Sequence, residues 1–94
     1  MLTVRGFYKN SARELRNLLT HWEKRPVDVA RILGVKGQQI NNILTGRAKI
    51  PTKHLAKLAD LSGYSYVSLV DAVLDDERQR IHAAAQKYSE IKSA

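Results

Sequence analysis

The sequence predicts an all-α fold, a compact domain of five helices with one additional C-terminal helix. Three observations carry that reading. Apolar residues recur at helical intervals along most of the chain. Pro26, Pro51, Gly34 and Gly63 fall where those runs begin or end. Finally, the stretch Pro26–Gly46, PVDVARILGVKGQQINNILTG, reads as two short helices joined by a tight turn. Ninety-four residues suit one small domain with a modest core.

In chain order, MLTVRGFYKN is the least regular part. Leu2 and Val4 alternate with polar residues as in a short strand, interrupted by Gly6; the other reading is a chain end pinned by Phe7 or Tyr8. Ser11-Ala12-Arg13-Glu14 has capping-box spacing and places the first helix start there. Ala12, Leu15, Leu18, Leu19 and Trp22 follow as its apolar stripe, with Trp22 expected in the core. Glu23-Lys24-Arg25 turns the chain into the next helix, whose first turn accommodates Pro26. Val29, Ile32 and Leu33 give that helix its inner face, and Gly34 supplies a left-handed stop. Val35 plugs the turn, and Ile40, Ile43 and Leu44 form the buried stripe of the third helix. Small Ala30 is expected where the second and third helices cross closely.

Pro51 and Thr52 begin a fourth helix with Leu55, Leu58, Ala59 and Leu61 facing inward, closed by Ser62-Gly63. Ser65 caps a fifth, carrying Tyr66, Leu69, Val70, Val73 and Leu74. Asp75-Asp76-Glu77 then marks either a new helix start, with acids at the positive dipole end, or a solvated turn within one long helix. Ile81, Ala84, Ala85, Tyr88 and Ile91 make a last stripe. The expected organisation is one domain over residues 1–94, with a core at 10–74. The segment 75–94 either folds back or pairs with a second copy.

Several levels of this pattern together resemble the phage repressor/Cro-type (XRE-like) helix-turn-helix DNA-binding family. The family's small residue corresponds to Ala30, its glycine to Gly34, and its branched apolar positions to Val35, Ile40 and Ile43. The Gly-basic loop and apolar-proline pair correspond to Gly46-Arg47-Ala48-Lys49-Ile50-Pro51, followed by the Leu-rich Leu55–Ala59 stretch. The resemblance covers residues 10–74. Two departures stand out. Lys36 sits where Ser or Thr usually caps the second motif helix, and Pro26 replaces a Gln that often offers a phosphate contact. In some members of the family the leading segment is an arm that wraps DNA, a role the resemblance would give to Arg5 and Lys9.

Charge follows the same division. Residues 1–57 hold twelve Lys/Arg and three Asp/Glu; residues 58–94 hold four and six, within a net charge of +7. A basic front half suits a polyanion and a near-neutral back half suits a protein. Turning the third helix at ~100° per residue puts Gln38, Asn42 and Thr45 opposite Ile40, flanked by Gln39 and Asn41. Amides on an exposed face can pair with adenine edges in the major groove, so these five are the candidate base readers. Lys36, Arg47, Lys49, Thr52 and Lys53 surround them as candidate phosphate contacts.

No enzymatic activity, cofactor or metal is expected. His21, His54 and His82 are far apart in sequence, with His54 read as solvent-facing, and no nucleophile elbow, phosphate loop or metal motif is present. The chain lacks cysteine and any run of ~18 apolar residues, and its first residues are not those of a signal peptide. The expected location is cytoplasmic, associated with the nucleoid and not with membrane. Two functions remain open. One is a repressor binding double-stranded DNA as a homodimer on an inverted-repeat operator. The other is an antitoxin or similar interaction module, whose C-terminal helices grip a protein antagonist or toxin while DNA binding is secondary.

Overall fold

In the computed structural model, which describes residues 6–93, the chain is all-helical. The helices are α1 (Lys9–Trp22), α2 (Pro26–Leu33), α3 (Gly37–Leu44), α4 (Thr52–Ser62) and α5 (Tyr66–Ser93). Leu2, Val4 and Arg5, to which a short strand or a DNA-wrapping arm was assigned, lie outside the described residues. So does the side chain of Ile91. No helix among the described residues is long and apolar enough to cross a membrane.

The core draws on all five helices and on the loop after α3. Leu15 and Leu18 of α1, Val29 of α2, Ile40 of α3, Ile50 of the following loop, Leu58 of α4 and Leu69 of α5 are all but fully buried. Removing a side chain of this kind from water contributes about 1.5–3 kcal/mol. α1 lies centrally, packed against α3, α4 and α5, while α2 leans on α3. Trp22 is half-buried at the edge of this core, with the Lys24 ammonium 6.0 Å from its ring centre. Leu61, expected inside, is 47% exposed. It lies roughly 110° around α4 from the line of Leu55, Leu58, Ala59 and Ser62. Tyr66 and Leu74 are likewise exposed, because α5 buries the Leu69–Ala72–Val73–Asp76 side instead.

The first helix begins differently from its capping-box spacing. It starts at Lys9, with Tyr8 as N-cap and no side-chain cap there. Ser11 therefore lies inside the first turn, its hydroxyl oxygen buried without a partner. The open N–H groups of Asn10 and Ser11 donate instead to the two carboxylate oxygens of Asp76, at 3.0 and 2.7 Å. Glu14 accepts the Tyr64 hydroxyl at 2.9 Å, tying α1 to the α4–α5 connection.

Asp76 is buried, and α5 runs straight through Asp75-Asp76-Glu77. The acids thus lie within one long helix, as one of the two expectations had it, but at Asp76 that turn is buried and not solvated. Asp75 and Asp76 do meet a positive helix end, but it belongs to α1. Residues 75–93 accordingly extend α5 and form no sixth helix. With 28 residues it is ~42 Å long, which sets the long axis of a molecule measuring 51 × 25 × 21 Å. Every residue from Arg78 to Tyr88 is exposed, so this half of the helix projects and does not fold back.

Candidate nucleic-acid interface

The α2–α3 pair is shaped by local chemistry at each end. Pro26 occupies the first turn of α2, where its missing N–H is no loss. Asp28 reaches back to accept the Arg25 N–H at 3.2 Å and pairs with its guanidinium, which holds the Asp28 carboxyl below its ordinary pKa. Gly34 ends α2 at φ 71°, a left-handed conformation that a Cβ would strain. The Val35 N–H then returns to the Ala30 carbonyl at 2.9 Å, closing the turn. Lys57 adds a clamp from α4, donating to the Ile32 carbonyl at 3.3 Å.

α3 starts without the hydroxyl cap common at such positions. Lys36 is extended, and its N–H donates to Gln39 Oε1 at 3.2 Å. Gln39, expected to read bases, therefore also stabilises the helix start. Along α3, Ile40, Ile43 and Leu44 are buried, while Gln38, Gln39 and Asn41 are exposed and Asn42 is half-buried. Gln38 Nε2 donates to Asn42 Oδ1 at 3.1 Å. This bond pairs the two central amides and fixes their relative orientation.

Thr45 sits at the helix end, half-buried, its hydroxyl donating to the Asn41 carbonyl at 2.9 Å. With its proton held by the backbone, it has less freedom to meet a base than the amides have. The Asn42 carbonyl accepts the Arg47 and Ala48 N–H groups at 2.8 and 3.1 Å, curling the loop tightly beneath α3. The leading segment docks on this corner. Gly6 N–H donates to the Thr45 carbonyl at 3.0 Å and Tyr8 N–H to the Gly46 carbonyl at 2.9 Å. A Cβ at Gly6 would run into the Gly46 backbone, so only glycine fits there. A chain end pinned through Phe7 or Tyr8 was one of the two expectations; the pinning is made by the backbone of Gly6 and Tyr8, which a glycine beside two aromatic residues signals only weakly.

The cations divide into free and committed groups. Lys36, Arg47 and Lys53 are exposed, as is Thr52 at the start of α4. Lys49 is half-buried and forms a 2.8 Å ion pair with Glu77 of α5. Lys49, followed by Arg80, holds the Glu77 carboxyl below its ordinary pKa. His54, expected to face solvent, turns inward beside Ile40, Ile50 and Leu58, and its Nε2 is buried without a partner. Burial, then Lys53 and Lys57, lowers its pKa from the ordinary 6.5, which favours the neutral ring. A phosphate contact through His54 is thereby disfavoured.

The geometry thus presents a short helix with an uncharged amide face, bordered by exposed cations and backed by apolar side chains. Comparison with protein-family models, curated proteins and solved structures finds no match.

Proposed function

We propose that the chain is a sequence-specific double-stranded DNA-binding regulator of the repressor type, which lays α3 in the major groove. The observation that carries this reading is the amide face of α3, with Gln38 and Asn42 bonded side by side and Lys36, Arg47 and Lys53 exposed around them. A base-reading surface needs oriented donors and acceptors, whereas charge belongs at the phosphates on either side. The Gln38–Asn42 bond leaves Gln38 Oε1 and Asn42 Nδ2 as an acceptor and a donor one helical turn apart. An amide oxygen can accept from adenine N6 and an amide N–H can donate to N7, so the two groups, one turn apart, can address neighbouring base pairs. The resemblance to the repressor/Cro-type family supports the same reading, as does the basic balance of residues 1–57.

The alternative, a module that binds a protein antagonist or toxin through its C-terminal half, draws on a different observation. Arg78 to Tyr88 of α5 are exposed and contribute nothing to the buried core behind α3.

Reading and gripping are separable by experiment. On an operator selected from genomic fragments, Gln38→Ala or Asn42→Ala should cost about 1–3 kcal/mol per half-site, with much less loss on random DNA. Arg47→Ala should weaken both DNAs alike and reduce the slope of log affinity against log salt by about one unit. Equal losses on both DNAs for the amide variants would remove α3 as the reader. The selected operator should be an inverted repeat with half-site centres about 10–10.5 bp apart, or a multiple of that.

A further inference from the structure

The projecting helix carries an apolar line that the fold leaves uncovered. Val67, Leu74, Ile81 and Tyr88 lie seven residues apart on α5 and are 65%, 55%, 60% and 67% exposed. Seven residues is nearly two helical turns, so the four stay on one face, drifting only ~20° per repeat. The line spans ~32 Å. It lies on a different side of α5 from Leu69, Ala72 and Val73, which face the core. Exposed apolar residues scattered singly are ordinary, but a regular line along one helix implies a covering surface.

The charges beside this line identify the cover. Asp71 and Arg78 are exposed on the same edge of the stripe, on either side of Leu74. In a two-fold symmetric pair each contact is made twice, and the surface must complement itself. We propose that α5 pairs antiparallel with α5 of a second copy of this chain, about an axis near Leu74. Leu74 then meets its symmetry mate, Val67 meets the mate of Ile81, and Asp71 meets the mate of Arg78 at both ends, while Tyr88 runs past the start of the mate's α5 to the level of its α4. An antiparallel arrangement brings the same edge of both helices together, so the opposite charges align. In a parallel pair the two-fold axis turns this edge toward the opposite edge of the mate, so Asp71 and the mate's Arg78 fall on opposite sides of the seam and the match is lost. The inference stands apart from the DNA reading, because association is measured without DNA.

Sedimentation equilibrium of the full chain should give a dimer. Ile81→Glu, on the projecting part of α5 where folding is not at stake, should make it a monomer with an unchanged helical circular dichroism spectrum. Asp71→Arg and Arg78→Asp should each weaken the dimer at least tenfold, and the double variant should restore it. The absence of native cysteine makes cross-linking unambiguous. Leu74→Cys should oxidise to a linked dimer. Val67→Cys and Ile81→Cys chains should link to each other when mixed, with neither linking efficiently to itself. A full chain that stays monomeric at about 1 mM, weak even for specific association, would overturn the proposal. So would efficient self-linking of Ile81→Cys, the mark of a parallel pair. Loss of DNA binding with the dimer intact would refute the DNA reading alone.

Discussion

Asp76 shows how much a single side chain can do when it serves a distant helix. Buried in α5, it accepts the two backbone donors that open α1. Hydrogen bonds to a charged group contribute about 1.5–3 kcal/mol each, and an unsatisfied buried donor costs about 1–3 kcal/mol. Asp76→Ala should therefore lower unfolding free energy by about 2–4 kcal/mol, given that the two bonds share one group and do not simply add. Ser11→Ala should be neutral or slightly stabilising, since its hydroxyl already lacks a partner. Urea unfolding of both variants distinguishes this arrangement from a local capping box, for which Ser11 would be the costly loss. Spacing within residues 11–14 could not reveal the difference, because the true cap lies 65 residues away.

At the level of helices, much was legible because the signals are local. Pro26 opening α2, Gly34 and Gly63 ending α2 and α4, and Ser65 capping α5 each act within a few residues of themselves. The amide face of α3 was legible for the same reason: once Ile40 is inside, the helical period fixes where Gln38 and Asn42 point. Leu61 and Leu74 were misread because an apolar residue three or four positions from another can fall on either flank of a stripe. Only the neighbouring helices decide which flank is covered. Ala30 tests the tightest of these packings. It is nearly fully buried on α2, which leans on α3. Ala30→Leu should cost about 1–3 kcal/mol by overpacking. A thermal melt matching the parent's would mean that space exists there to absorb the added branches.

Across the whole molecule, the loop after α3 and the long α5 are joined by Lys49 and Glu77. Lys49 was expected only as a phosphate contact, and its partner 28 residues further on gave no sign in the local pattern. Under the DNA reading, a phosphate and Glu77 compete for the same ammonium. Glu77→Gln should then tighten binding to operator and random DNA alike and make its salt dependence steeper by up to about one unit. Acid should act in the same direction. Glu77 is held ionised below the usual carboxylate range, so the pair persists at neutral pH and is released only as pH falls through that lowered pKa. Any stability drawn from the pair is lost over that same acidic interval. Measured affinities that ignore Glu77→Gln would mean that Lys49 never reaches DNA.

The capping of α1 by α5 also orders events in time. A chain made from its N-terminus produces Asn10 and Ser11 first, while the carboxylate that completes their helix is added 65 residues later. Until then α1 has an open end, and the α2–α3 unit that packs on it has an unfinished support. A nascent or prematurely ended chain stopping at Leu74 would carry the whole α3 surface but lack Asp76. Such a fragment should fold poorly and be cut by a protease faster than the full chain.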